Sequence, residues 1–170
     1  NASGWFISCP LTPAMMLRMP EDKVIKKIID AAKVAQDLGA KIVGLGAFTA
    51  VVGDAGITVS QNVDIAVTTG NSYTVATAIE GTVKAASLLG IDMDTAEVLI
   101  LGATGSIGRV LALILANRGY KLTLTARNVA RLERVSRLIT KETGMVPRIA
   151  ADVKQAVRKA DVILCVSSAL

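Results

Sequence analysis

Histidine is absent from all 170 residues, and that absence removes two large classes of chemistry. A Ser-His-Asp relay cannot be assembled within this chain, nor can zinc be held through imidazole. Proton transfer is left to Lys, Asp, Glu, Tyr or Cys. Cysteine is almost as scarce: Cys9 and Cys165 stand alone, without metal-ligand spacing and without a disulfide framework. No metal is expected. Aromatic residues make up 3% of the chain, so few rings are on hand to stack bases. With no recognition motif beside them, lysines such as Lys23, Lys26, Lys27 and Lys33 read as a solvated helix face, and nucleic acid is not an expected partner. The N-terminus lacks a basic region followed by an apolar one, so no secretory signal is visible and a cytoplasmic location is the default. Asn1-Ala2 reads as a cloning remnant and is set aside.

What is present is branched and apolar. Hydrophobic residues reach 52%, and mean hydropathy is +0.52, which predicts a core of Val, Ile, Leu and Ala suited to helices covering a parallel sheet. The stretch Val98 to Ala116 approaches the hydropathy of a membrane span. It also holds Gly102, Gly105, Gly108, Thr104, Ser106 and Arg109, which a strand-turn-helix explains and a spanning helix does not. The formal charge of +5 and pI near 9.4 favour anionic ligands.

The chain organises itself around Glu97-Val-Leu-Ile-Leu-Gly-Ala-Thr-Gly-Ser-Ile-Gly108. Four apolar residues form a strand buried on both faces, and glycines then follow at the spacing of a nucleotide cradle. Such glycines permit a tight turn, let backbone N–H groups approach a pyrophosphate, and let the next helix pack against the strand; its N-terminus adds a field that suits the anion. Ala103 makes this a variant of the common fingerprint. No Gly-Lys-Ser/Thr closes the turn, which excludes a Walker-type loop.

Before this turn, Pro20, Glu21 and Asp22 start a helix whose apolar face is Val24, Ile25, Ile28, Ile29, Ala32 and Leu38, stopped by Gly39. Lys41 to Leu45 reads as a strand, followed by a glycine-rich region with a short helix around Phe48. Thr68-Thr69-Gly70-Asn71-Ser72 then offers cap side chains to a helix carrying Val75, Ile79, Val83 and Ala86, ended by Gly90. Thr69 and Asn71 are also weak candidates for facing a substrate. After the turn the alternation is regular. Ile107, Val110, Leu111, Ile114 and Leu115 line a helix ended by Gly119, and Lys121 to Ala126 is a strand. Asn128 caps a helix with Val129, Leu132, Val135 and Ile139 inward, closed by Gly144, and Val146 to Ala150 is a strand. Asp152 caps a short helix with Ala156 and Val157 inward, and Asp161 to Val166 is a strand.

The β-α-β-α-β-α-β pattern predicts a parallel sheet of order 3-2-1-4, with ligand at the carboxyl ends of its first and fourth strands, Gly102 and Val166-Ser167-Ser168. The fold class expected is α/β: a partial Rossmann-like doubly wound parallel sheet over 96–170, preceded by a smaller α/β segment over 1–95 with a connecting helix at 72–89. The chain stops before the strands that complete such a sheet and reads as a fragment. At the end of the second strand stands Ala126-Arg127-Asn128, with no acid to bind the ribose 2′-hydroxyl of NAD. Arg127, helped by Asn128 and Arg131, suits the 2′-phosphate of NADP, so NADP is the expected cofactor. Neither Tyr73 nor Tyr120 has lysine four positions on, which sets short-chain dehydrogenases aside.

In order and spacing, Leu45-Gly46-Ala47-Phe48, Thr68-Thr69-Gly70-Asn71-Ser72, Leu89-Gly90-Ile91-Asp92, Gly102-Ala103-Thr104-Gly105-Ser106-Ile107-Gly108 and Ala126-Arg127-Asn128 resemble the cyanobacterial long-chain acyl-ACP reductase family, whose wider group includes predicted amino-acid dehydrogenases. The likeness covers most of Ser8 to Ser168. It implies an NADPH-dependent oxidoreductase that reduces an acyl thioester to an aldehyde through a cysteine thioester, with a small-molecule or acyl-carrier substrate; homo-oligomerisation is left open. The family's nucleophilic cysteine lies beyond this chain, so neither Cys9 nor Cys165 inherits it and the catalytic residues are unknown. More distantly the sequence is similar to shikimate dehydrogenase and methylenetetrahydrofolate dehydrogenase, but Thr69-Gly70-Asn71-Ser72 replaces the Asn-Thr-Asp-Gly turn of shikimate dehydrogenases. A dehydrogenase of a small hydroxy or amino acid, and a non-catalytic NADP-binding sensor, are the alternatives. Cys165 is expected to be a buried small hydrophobe, and Lys41, Asp54 and Asp64 to be surface residues.

Overall fold

The computed structural model describes residues 3–167, and the contacts divide it into two compact units, 1–70 and 71–170. The expected remnant Asn1-Ala2 lies outside the described residues. In the first unit, α1 (Pro13–Arg18) starts where Thr12 accepts a hydrogen bond from the Met15 N–H at 3.3 Å. This helix falls in a stretch without apolar period, but Thr-Pro at the N-cap and first position is itself a start signal. Helix α2 (Glu21–Asp37) follows, with Val24, Ile28, Ala32 and Ala35 buried. Leu38 is exposed instead of inward, because the helix has already ended.

Strand β1 (Ile42–Gly44) leads into a 3₁₀ turn (Ala47–Ala50) and α3 (Ile57–Ser60). Strand β2 (Ala66–Thr68) then returns parallel to β1, Val43 opposite Val67. β2 was invisible in sequence; three residues are too few to show a period of two. Met16, Val24, Ile28, Leu45, Ala50 and Val59 form this unit's core.

The second unit opens with α4 (Asn71–Leu88), so the helix expected to connect the halves packs within the second one. Then come β3 (Glu97–Leu101), α5 (Ser106–Asn117), β4 (Lys121–Thr125), α6 (Val129–Thr143), β5 (Arg148–Ile149), α7 (Val153–Lys159) and β6 (Val162–Cys165). All pairings are parallel and the order is β5-β4-β3-β6, the 3-2-1-4 arrangement of a Rossmann-type sheet. β5 is shorter than Val146 to Ala150, since only two of its residues pair with β4.

Val98, Ile100, Leu122 and Leu124 face one side of the sheet and pack with Val75 and Ile79 of α4, Leu111 and Leu115 of α5, and Leu132 and Ile139 of α6. By the alternation of a strand, Glu97, Leu99 and Thr123 point to the opposite side. There α7 packs on β3, and the Thr123 hydroxyl donates to the Glu97 carboxylate. Asn128 and Asp152 cap α6 and α7, accepting from the N–H groups of Arg131 at 2.9 Å and Gln155 at 3.1 Å.

In the second unit three residues expected inward are likewise exposed: Val110, Val129 and Val157. In α5 the buried stripe is Gly108, Leu111, Ala112, Leu115 and Ala116, because Gly108 faces the turn and rotates the contact face away from Val110. Val129 lies at the first position of α6, before its packed turns, and α7 is short enough to bury Ala156 alone. Cys165 is exposed too. β6 is an edge strand, and its alternate residues Ile163 and Cys165 lie on the side that α7 only partly covers. Among the described residues no helix is long and apolar enough to cross a membrane.

Two outcomes are expected. Leu111→Ala removes a fully buried side chain from the α5 stripe and should cost about 2–5 kcal/mol in chemical denaturation; a loss under about 1 kcal/mol would contradict the packing described. Burial pushes the Cys9 thiol's pKa up, whereas Cys165 is exposed. Partial alkylation at about pH 8, read by mass spectrometry, should therefore label Cys165 first, because only thiolate reacts. Faster labelling of Cys9 would refute this.

Candidate functional site

The glycine turn is built by three close approaches. Gly102 leaves β3 with φ +91°, and its N–H and that of Ala103 both donate to the Thr125 carbonyl, at 2.9 and 3.2 Å. The end of β4 thus fastens the start of the turn. A methyl group on Gly102 would lie 3.0 Å from the backbone of Val166 and Ser167, which places the segment after β6 directly against it. The Gly105 N–H then donates to the Gly102 carbonyl at 3.0 Å. One turn on, Gly108 is buried, and a side chain there would overlap the Gly102 carbonyl oxygen. Only glycine at 108 lets α5 begin this close to β3.

The N-terminus of α5 is open. Gly105 occupies the N-cap position without a side chain, and no acid stands in the first turn. The first-turn N–H groups of Ser106, Ile107 and Gly108 have no helical acceptor, and the macrodipole adds a positive field. α6 and α7, by contrast, receive side-chain caps. A pyrophosphate fits this place on two counts: donors are left over, and the glycines keep side chains out of its way.

Beside the turn lies a cleft of about 410 Å³ lined by Thr104, Gly105, Ser106, Arg109, Arg131, Arg134 and Val135. Arg131 was expected here. Arg127 is exposed at the end of β4, two residues past Thr125, and does not line the cleft. Ala126 is half-buried between them, and Asn128 spends its side-chain oxygen on the α6 cap.

Sequence reasoning missed Arg109 and Arg134. The available signal was a cation early in a helix, where the dipole disfavours it, and an arginine one turn beyond Arg131.

Asn71 is brought to the turn: its side-chain amide donates to the Ser106 hydroxyl at 3.3 Å. It is the first residue of α4 and not a cap. Thr69 follows β2 in the first unit, half-buried. Ser168 lies outside the described residues. Asp54 accepts from the Thr58 N–H and hydroxyl, which hold its carboxyl below the usual range, and Asp64 is bound to Gln36. Both serve local structure. No group of acidic or cysteine residues that could hold a metal occurs among the described residues.

No protein-family model matches the chain. It is 32% identical over 146 residues to the long-chain acyl-[acyl-carrier-protein] reductase of Synechococcus elongatus, covering 76% of this chain and 41% of that protein. It is 31% identical over 104 residues to aminotransferase PigE of Serratia, 61% of this chain and 12% of that one. Among solved structures, a short-chain dehydrogenase from Shigella flexneri matches at 26% identity and a TM-score of 0.40, over 46% of this chain and 38% of its own. The chain spans less than half the length of these curated relatives. Its sequence is thus similar to part of a long-chain acyl-ACP reductase, as its motifs implied, on a second unit of Rossmann type.

Proposed function

We propose that this chain carries the NADP-binding part of an oxidoreductase that reduces an acyl thioester to an aldehyde. The observation that carries the reading is the uncapped α5 N-terminus over a turn that tolerates only glycine at 108, with arginines gathered next to it. The similarity to an acyl-ACP reductase supplies the substrate class.

In this reading the N–H groups of Ser106, Ile107 and Gly108 hold the pyrophosphate, with Ala103, Thr104 and Gly105 shaping the approach. Arg127 and Arg131 take the 2′-phosphate, Arg127 from the strand end and Arg131 from the cleft; Asn128 orders the backbone between them through its cap. Asn71 fixes the Ser106 hydroxyl, so that the first residue of α5 is held before ligand arrives. Val166 and Ser167, which follow β6 and lie against Gly102, are on the nicotinamide side in this reading. NADPH supplies the hydride, and an acyl carrier or small thioester is the partner. Neither cysteine of this chain is assigned as nucleophile.

Titration followed by nicotinamide fluorescence tests the cofactor. NADPH should bind at least about tenfold tighter than NADH, the worth of one charge-assisted contact; equal affinities would end the NADP reading. Arg127→Ala should reduce that ratio several-fold with NADH binding unchanged. Gly108→Ala should abolish binding of both nucleotides, since the turn must open to admit the methyl group; retained binding in a folded variant, judged by circular dichroism, would remove the turn from the site.

A further inference from the structure

We infer that Arg109 and Arg134, neither of them at the strand end, form with Arg131 the pocket that selects a ribose 2′-phosphate. The inference rests on the cofactor reading above and extends its selectivity from Arg127 at the strand end to the facing walls of α5 and α6.

The charge distribution is lopsided. The first 70 residues hold six basic and six acidic side chains, so the whole formal charge of +5 belongs to 71–170, which also hold eight of the nine arginines. Three of those eight line one cleft of about 410 Å³, and no acidic side chain lines it with them. Arg131 and Arg134 lie three apart on α6, where like charges face each other across one turn and repel. Arg109 opposes them from α5, at a place where the helix dipole also works against a cation. No acid stands in the first turn of either helix to offset the field.

An arrangement that is unfavourable empty becomes favourable around a dianion. Guanidinium forks meet phosphate oxygens in pairs, which a lysine cannot do, and a terminal monoester presents three oxygens to forks arriving from two sides. The cleft shares Gly105 and Ser106 with the α5 N-terminus. A dinucleotide whose pyrophosphate rests there carries its adenosine ribose into the same cleft, against Val135 as the apolar wall. A 2′-phosphate on that ribose meets three guanidinium groups; a free hydroxyl leaves them unpaired.

Calorimetric titration of the full chain with 2′,5′-ADP, 3′,5′-ADP and 5′-ADP tests this without turnover. The unaltered protein should prefer 2′,5′-ADP to both others. Arg134→Gln and Arg109→Gln should each weaken 2′,5′-ADP by about tenfold or more and leave 5′-ADP within about twofold. Arg134→Lys, which keeps charge but loses the fork, should recover only part of the loss. Arg118→Gln, at the far end of α5, should change nothing. If both Gln variants keep the preference of the unaltered protein, the inference fails while the NADP reading stands. A preference for 3′,5′-ADP also overturns it. If the unaltered protein prefers none of the three and binds NADPH no tighter than NADH, the cofactor reading itself fails.

Discussion

The contact between Gly108 and the Gly102 carbonyl sets the rest of the second unit. Because no side chain intervenes, α5 starts within a turn of the end of β3. Its stripe of Leu111, Ala112, Leu115 and Ala116 then lands on Val98, Ile100, Leu122 and Leu124. The same turn is bound to β4 through the Thr125 carbonyl and presses on the segment after β6 through Gly102. Three strand ends therefore converge on one short loop, and its geometry is held by backbone and by the fully buried side chains beneath it.

Rigidity of this kind matters because no side chain caps the first-turn N–H groups of α5. A helix that donates N–H groups to nothing would be poorly placed in a core. At the surface, beside a basic cleft, its donors stay open and already oriented, which is why the proposed pyrophosphate site is placed there. The arginines extend that field from the turn to α6. The first unit has no such bias: its charges balance, and its polar groups such as Asp54 and Asp64 are engaged in local hydrogen bonds. Its strand β1 is followed by the backbone of Ala47 at φ +48°, one of two non-glycine residues with positive φ among the described residues.

Legibility in the sequence followed length and repetition. Helices α2, α4, α5 and α6 span three turns or more, so their apolar residues recur often enough to be counted, and glycines with positive φ at 39, 90, 119 and 144 mark their ends. The elements that went unseen, α1, α3 and β2, have six, four and three residues, too few for a period. The buried faces were read less well than the elements. Val110 and Cys165 have the chemistry of core residues, but a contact face rotated by Gly108 and an edge strand leave them exposed.

By itself the sequence determined the α/β alternation, the order of the second sheet and the position of the glycine turn, because each follows from local spacing and from the handedness of parallel crossovers. It also placed Arg127 and Arg131 after β4, by their distance from that turn. Tertiary structure alone decided that Arg109 and Arg134 share a cleft with Arg131, that Asn71 reaches Ser106 across thirty-five residues, and that α4 belongs with the second unit. These are contacts between elements distant along the chain. Their geometry is set by how helices pack on a sheet, which no window of neighbouring residues records.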